Sequence, residues 1–275
     1  MNLCDKDTIF HIKKKYGVTA KKGLGQNFLT DIEVPIKIAE TVPLGYGVIE
    51  IGPGLGCLTA QLAKTAQKVV AVEIDSALLP VLAETVPDEN VTVIEGDFMQ
   101  MDTDEIMSKH LAGLPCAVAA NLPYYITTPI VMKLLDSNVK EITVMVQKEV
   151  AKRLASPPGG QDCGAVTMAV AWKAKATYLF DVPASSFWPA PKVDSAVIKL
   201  VLRESPFFVI DEKLMFRLVK AGFEQRRKTL VNALKSAGFD ADVTKFLPDN
   251  IRAERLTMEQ WAQLANAYSK KEGQL

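Results

Sequence analysis

Short runs of consecutive apolar residues alternate along this chain with segments whose apolar positions recur every three to four residues. Gly47 to Ile51, Val69 to Val72, Val91 to Ile94, Cys116 to Ala120 and Ile142 to Val146 are continuous runs. Their lack of alternation predicts strands buried on both faces, as in a parallel sheet. Ala176 to Val182 and Ala196 to Val201 add two further strands. Between them the helical period predicts a short helix within the first 22 residues, one begun at Asp31, and others over Cys57 to Ala66, Ser76 to Val86, Pro129 to Leu135, Gln147 to Leu154 and Val166 to Trp172. Thr128 and Pro129 read as the cap and first position of their helix. Strand and helix in alternation predict an α/β fold. From Ser205-Pro206 onward only helices follow, over Glu212 to Ala221, Arg227 to Ser236 and Met258 to Tyr268, with Gly222 and Gly238 as expected C-caps and Thr257 with Gln260 as a capping box. The division expected is a basic arm over 1–22, a large domain over 23–204 and a small helical domain over 205–275.

Composition sets the outer bounds. The 275 residues are 48% hydrophobic and 23% charged, which suits a globular chain with a full core. Cys4, Cys57, Cys116 and Cys163 are scattered without a CxxC pair, and His11 and His110 are the only histidines. That predicts neither a metal site nor a disulfide framework, and fits a reducing compartment. No apolar run approaches the roughly 20 residues that span a bilayer, so a cytoplasmic protein without a membrane partner is expected. Net charge is zero, yet six lysines (6, 13, 14, 15, 21 and 22) face only Asp5 and Asp7 in the first thirty residues. Basic residues also crowd 213–235 against Glu224 alone, while 71–110 holds ten acids against Lys109. Two basic ends around an acidic middle predict a dipolar surface whose basic parts meet phosphate, although ordinary solvated charge gives the same pattern. Lys21, Lys22, Arg226, Arg227 and Lys228 are the candidate phosphate contacts. The last three stand at a helix start, where cations oppose the macrodipole and an external anion would relieve them.

Candidate chemistry gathers at the ends of successive strands. Glu50 and Ile51 lead into Gly52-Pro53-Gly54-Leu55-Gly56, directly before a helix. Strand, glycine loop and helix make a nucleotide-binding unit, because glycines let a ligand approach the backbone and a helix start offers free N–H groups. The spacing is G-x-G-x-G rather than G-x-G-x-x-G, which favours an adenosine ligand carrying an amino acid over a dinucleotide. Glu73 ends the second strand where a ribose diol would be gripped, and Asp75 reads as the cap of the next helix. At the end of the third strand Asp97 suits an adenine amine and Phe98 its ring. Gly25-Gln26-Asn27-Phe28-Leu29 reads either as a turn leading into a helix or as a segment folded over a ligand.

The fourth strand ends in Asn121-Leu122-Pro123-Tyr124. An exocyclic amine on an aromatic base is a poor nucleophile, since its lone pair is delocalised into the ring. Acceptors on its two hydrogens draw it toward a pyramidal shape; the Asn121 side-chain oxygen and the Leu122 carbonyl, set by the fixed dihedral of Pro123, can be those acceptors. Tyr124 offers a face for stacking. The same four residues also suit a strand-ending turn with a core tyrosine. Downstream, Phe187-Trp188-Pro189-Ala190-Pro191-Lys192-Val193-Asp194-Ser195 is a proline-stiffened loop. Phe187 is expected to close on a flipped base from the face opposite Tyr124, with Trp188 left to packing.

Together these segments, with Arg226-Arg227-Lys228-Thr229, resemble the ribosomal RNA adenine dimethylases, and within them the small-subunit side of the family. The likeness runs from about Lys21 to the end. It implies a Rossmann-like class I methyltransferase sheet of seven mostly parallel strands with a small C-terminal helical domain, acting as a monomer. It implies S-adenosylmethionine as donor, with Gln26, Asn27 and Leu29 at its edge, Gly52 and Gly54 under its methionyl part, Glu73 on the ribose, Asp97 and Phe98 on the adenine, and Asn121 at the reacting end. Asn121, Leu122, Tyr124 and Phe187 would hold the target amine. The reaction implied is methylation of N6 of two adjacent adenosines near the 3′ end of 16S rRNA, in small-subunit biogenesis. With both histidines far from the motifs, in-line transfer without a dedicated base is expected. Competing readings are a large-subunit rRNA adenine methylase, a non-catalytic assembly factor, and a nicotinamide oxidoreductase, which the glycine spacing disfavours.

Overall fold

The computed structural model describes residues 1–19, 21–205, 207–225, 227–240 and 244–272, the side chains of Lys22 and Glu272 excepted. The strands are β1 (Phe28–Leu29), β2 (Gly47–Ile51), β3 (Lys68–Glu73), β4 (Val91–Glu95), β5 (Cys116–Asn121), β6 (Glu141–Gln147), β7 (Ala174–Val182), β8 (Phe187–Trp188) and β9 (Ser195–Leu202). The helices are α1 (Lys6–Tyr16), α2 (Glu33–Ala39), α3 (Thr59–Thr65), α4 (Leu79–Thr85), α5 (Thr103–His110), α6 (Thr127–Leu135), α7 (Lys148–Ala155), α8 (Ala165–Lys173), α9 (Glu212–Glu224), α10 (Leu230–Ser236) and α11 (Met258–Glu272).

Seven strands form one sheet in the order β4-β3-β2-β5-β6-β9-β7, and β1 pairs with β8 in a separate two-stranded ribbon. β4, β3, β2, β5 and β6 run parallel, and β9 is antiparallel to β6. The run of uninterrupted apolar residues explains this: β2 is buried at all five positions and β5 at its first five, so both faces are covered. The chain winds outward from β2 through β3 to β4, then returns to β5 on the other side of β2. At such a reversal the connections leave in opposite directions, and a crevice opens beyond the carboxyl ends of the strands. Ile51 lies level with Val72 in β3, and Glu73 with Glu95 in β4. The four candidate strand ends therefore open on one edge of the sheet.

The chain divides into two compact units, Met1–Ala151 with Thr177–Leu202, and Lys152–Ala176 with Arg203–Leu275. The first contains the expected arm: Leu3, Ile9, Ile12 and Val18 bury against Phe28, Leu55, Leu78 and Val81. In the second, Cys163, Met168 and Trp172 pack with Leu214, Leu218, Leu234 and Trp261. The second unit takes in the segment from within α7 to the start of β7 as well as the chain from Arg203 onward, where the expectation drew its division at 204/205.

Local sequence accounts for most element ends. Asp5 accepts from the Thr8 amide, Asp211 from the Leu214 amide, and Thr257 with Gln260 forms the expected capping box. Four details differ from expectation. α6 begins at Thr127 with Ile126 at its cap; the Thr127 hydroxyl donates to the Pro123 carbonyl at 3.1 Å. Gly222 lies inside α9, because a side chain there would meet Trp261 at 2.9 Å and Ala253 at 3.0 Å, so it is a close-packing glycine rather than a cap. α5 escapes the pattern since Ile106 is its one large buried apolar residue; it is set by Asp102 accepting from the Asp104 and Glu105 amides. The expectation of unpaired cysteines is corrected for one pair: Cys4 and Cys57 form a disulfide with Cα atoms 6.3 Å apart, brought together as Leu3 packs near Leu55. Cys116 and Cys163 are free and buried. Among the described residues no helix is long and apolar enough to cross a membrane.

Candidate active site

One cavity at the carboxyl edge of the sheet takes in Gln26, Asn27, Leu29, Glu50, Gly52, Gly54, Glu73, Asn121, Leu122, Tyr124 and Phe187. Its floor is the loop after β2. Gly52 and Gly54 hold φ of +70° and +62°, a region L side chains avoid, and no atom lies within 4 Å of where a Gly52 side chain would start. Bare backbone is thus presented to the cavity. The Gly54 amide donates to Glu73 Oε2 at 3.1 Å and the Asp75 amide to Oε1 at 2.8 Å, which fixes a carboxylate only 3% exposed. Each of its oxygens keeps a lone pair for a diol. Burial raises the Glu73 pKa.

Glu50 is 1% exposed, and its Oε2 has no hydrogen-bond partner among the described residues. Burial pushes its carboxyl up to about 8. Thr59 holds part of that shift back, and the one oxygen left without a partner on the wall of an open cavity is costly unless something fills it. The Glu73 carboxylate facing bare glycine backbone fits a ligand with a diol, and a cationic group brought beside Glu50 would lower its raised pKa and take up its unmet oxygen, which meets the demands of an adenosyl sulfonium with an amino-acid tail.

The N-terminal wall is fastened by Asp75. Its Oδ1 accepts from Lys21 Nζ at 2.7 Å and from the Ala77 amide at 3.2 Å, and its Oδ2 from Gln26 Nε2 at 3.0 Å. Gln26 Oε1 accepts from the Lys21 amide at 2.9 Å. Gln26 therefore lines the cavity with its amide committed to protein partners, and the Lys21 ammonium meets a carboxylate rather than standing open for phosphate. Asn27 Nδ2 donates to the Gly25 carbonyl at 3.2 Å. Leu29 pairs with Phe187 across the β1/β8 ribbon.

On the opposite side β5 delivers Asn121, level with Met145 of β6, and the Leu122 amide is taken by the Met145 carbonyl at 3.1 Å. The Asn121 side chain bonds to no described residue. Tyr124 shares a 2.7 Å hydrogen bond with Ser195, a buried hydroxyl at the start of β9, which fixes the ring. Burial raises the Tyr124 pKa, so the phenol stays protonated. Phe187 is 3% exposed and belongs to the core beside Val182 and Val197 while still forming part of the cavity wall.

Asp97 and Phe98 are not among the cavity's lining residues. They follow β4 on the strand beyond Glu73; Asp97 caps a short turn by accepting from the Met99 amide at 2.9 Å, and Phe98 is 4% exposed. Lys133 of α6 holds this turn, donating to the Phe98 carbonyl at 2.9 Å, the Met99 carbonyl at 3.0 Å and the Met101 carbonyl, with its ammonium 5.3 Å from the Phe98 ring centroid. Arg227 and Lys228 are exposed in the second unit, in the turn before α10. Arg226 and the Lys22 side chain lie outside the described residues. Asp75 caps the turn from Ser76 as expected, while its bonds to Lys21 and Gln26, and the duties of Ser195 and Lys133, have no counterpart in the sequence pattern. Ser195 falls within the proline-rich segment it singled out, whereas nothing local marks Lys133.

With this geometry in view, the comparisons with known proteins agree. The family model for ribosomal RNA adenine dimethylase matches residues 17–270. Proteins named ribosomal RNA small subunit methyltransferase A from Bacillus cytotoxicus and Bacillus mycoides are 45% and 46% identical, each alignment covering 93% of this chain and 94% of the relative. A dimethyladenosine transferase from Plasmodium falciparum superposes with a TM-score of 0.74 at 27% identity, over 89% of this chain and 98% of that one. The 23S rRNA methyltransferase ErmE superposes at 0.69 and 26% identity, over 88% and 100%. The glycine loop, the buried strand-end carboxylate, the Asn121–Tyr124 turn and the match over nearly the whole chain lead to one conclusion: this chain belongs to the ribosomal RNA adenine dimethylase family.

Proposed function

We propose that this chain transfers methyl groups from S-adenosylmethionine to N6 of two adjacent adenosines near the 3′ end of 16S rRNA, giving N6,N6-dimethyladenosine during small-subunit biogenesis in the cytoplasm, and that it acts as a monomer. The observation that carries the reading is the placement of Asn121 and Leu122 on one wall of the cavity whose floor is the glycine loop and Glu73. The names of the relatives from Bacillus support the small subunit as the target.

The donor supplies an electrophilic methyl on a sulfonium. Gly52 and Gly54 would lie under its methionyl part and Glu73 would take the ribose hydroxyls. Gln26 and Leu29 wall its edge, and Asp97 with Phe98, set by Lys133, would meet the adenine from the neighbouring strand end. In the first transfer the Asn121 side-chain oxygen and the Leu122 carbonyl accept the two N6 hydrogens of the target base and turn the nitrogen lone pair outward; in the second, one of them accepts the remaining hydrogen and the pocket must take a methyl beside the other. Tyr124, immobilised by Ser195, stacks on the base, and Phe187 closes the other face. Positioning and exclusion of water carry the rate. After transfer the protonated amine loses its proton to water, with no dedicated base required. Arg227 and Lys228, with Arg226 and Lys22, contact rRNA phosphates, a role Lys21 shares only if Asp75 releases it.

The test is incubation with labelled donor and small subunits lacking the modification, then digestion and nucleoside identification. N6,N6-dimethyladenosine at two adjacent positions of 16S rRNA is expected. Label confined to 23S rRNA would favour the large-subunit alternative that the likeness to ErmE keeps in play. Asn121→Ala should reduce transfer to background while donor binding by calorimetry stays close to wild type; an active variant would remove Asn121 from its role.

A further inference from the structure

One face of α1 has no part in the site just described. Ile9 and Ile12 bury inward at 1% and 2% exposure, and Lys6, Phe10 and Lys13 follow at helical spacing on another side. Phe10 is 64% exposed, an unusual setting for a phenylalanine on an otherwise well-packed helix. Lys6, Asp7, Ile9 and Phe10 line a groove whose far wall is Trp188. Trp188 is 37% exposed, although the sequence left it to packing, and the Lys13 ammonium lies 3.9 Å from its ring centroid. Lys6 and Lys13 have no carboxylate partner among the described residues, whereas Lys15 of the same helix is paired with Glu84. Asp7 is the one acidic residue of the groove lining.

The groove and the catalytic cavity share no lining residue, but the β1/β8 ribbon contributes to both. Trp188 follows Phe187 directly, and its partner across the ribbon, Phe28, lines the catalytic cavity. Phe187 and Trp188 are successive residues of β8 and face opposite sides of the ribbon, so a strand that delivers one base to Phe187 can reach Trp188 with a flanking nucleotide only by turning over the ribbon's edge. We propose that the α1 face and Trp188 form a platform for an unpaired nucleotide flanking the target adenosine, with its base stacked between Phe10 and Trp188 and its phosphate met by Lys6 and Lys13. Two features make single-stranded RNA the occupant. Two exposed aromatic side chains on one groove accept a flat base of any sequence, and two lysines against the single carboxylate of Asp7 suit a phosphodiester backbone. The assignment rests on the reading of rRNA as substrate and adds to it how the strand is held outside the pocket.

The chain's own fluorescence provides the test. Of its three tryptophans, Trp172 and Trp261 are 3% and 0% exposed, so Trp188 is the one that RNA can reach in the folded protein. Titrating the full-length protein with a short single-stranded oligoribonucleotide containing two adjacent adenosines should quench the Trp188 emission saturably. Phe10→Ala and Lys13→Glu, both on the surface of α1, should weaken that binding about tenfold, the scale of one lost stacked base or one reversed phosphate contact. In methylation of small subunits the same variants should raise KM by a similar factor with kcat and donor affinity unchanged. Quenching of equal size and affinity by inorganic polyphosphate would overturn the platform, since no base would then be stacked. Unchanged RNA affinity and unchanged KM in both variants would also overturn it. If wild-type protein binds RNA through Trp188 but methylates no rRNA, the substrate reading fails while the platform stands.

Discussion

Two buried polar residues set what the site asks of its surroundings. Glu50 holds a carboxyl raised to about 8 by burial, against an ordinary value of 4.5. The folded protein therefore keeps a proton that the unfolded chain gives up above about pH 4.5, and folding stability must fall as pH rises from there to about 8, then level off. Glu50→Gln removes this contribution, leaving the smaller one from Glu73, whose pKa is also raised by burial. Urea denaturation at about pH 5.5 and about pH 8.5 reads the difference: the wild type should lose more stability between them than the variant, and equal losses would mean that Glu50 does not titrate in this window. Ser195 makes a different kind of demand. Its 2.7 Å bond fixes the Tyr124 ring before any base arrives, so Ser195→Ala should cost about 1 kcal/mol of that ordering. The expected result is a fall in kcat of about fivefold with donor affinity unchanged. Glu50 was legible as a neighbour of the glycine loop, but its missing partner was not, since hydrogen-bond satisfaction depends on residues distant in sequence. Tyr124 was legible for the same local reason, and Ser195 as a partner was not.

Among the elements, α6 joins two functions that the sequence shows only separately. Its start follows the Asn121–Tyr124 loop, and Lys133, two turns later, closes over the carbonyls of Phe98, Met99 and Met101. A cation spent on three carbonyls cannot be replaced by an apolar side chain without leaving them unmet. Lys133→Met should weaken donor binding on the order of tenfold by calorimetry, with a smaller effect on the KM for small subunits; a variant that binds donor as the wild type does would detach the Phe98 turn from the cofactor. Strand positions were legible to within a residue or two because buried parallel strands are continuous apolar runs. The β1/β8 ribbon was not, because two residues in each strand are too few to show a period, and the pairing of Phe28 with Trp188 spans most of the large unit.

Across the whole molecule the sequence suggests an α/β part followed by a helical part, while the packing groups one earlier segment with the second compact unit. Residues 152–173 stand between β6 and β7 in order, which assigns them to the sheet by proximity alone. Their apolar residues Cys163, Met168 and Trp172 find partners in Leu214, Leu218 and Trp261 instead. Tertiary packing decided the boundary, and no local pattern carries that information. A chain ending at Leu202 should therefore expose Trp172: its emission should shift to the red and residues 152–176 should become the first site of limited proteolysis. A protected segment with blue-shifted emission would show that these residues fold without the tail.

Asp75 ties the stretch before β1 to the end of β3 through Lys21 and Gln26, so a single carboxylate governs whether one side of the donor cavity is shut. Losing that charge leaves the first helix docked by its own apolar residues yet frees the peptide between it and the sheet. Asp75→Asn protein should then be cut by trypsin after Lys21 far sooner than the wild type, and added donor analogue should no longer slow the cut. Were cleavage equally slow in both, the threshold to the cavity would be guarded by something other than this one side chain.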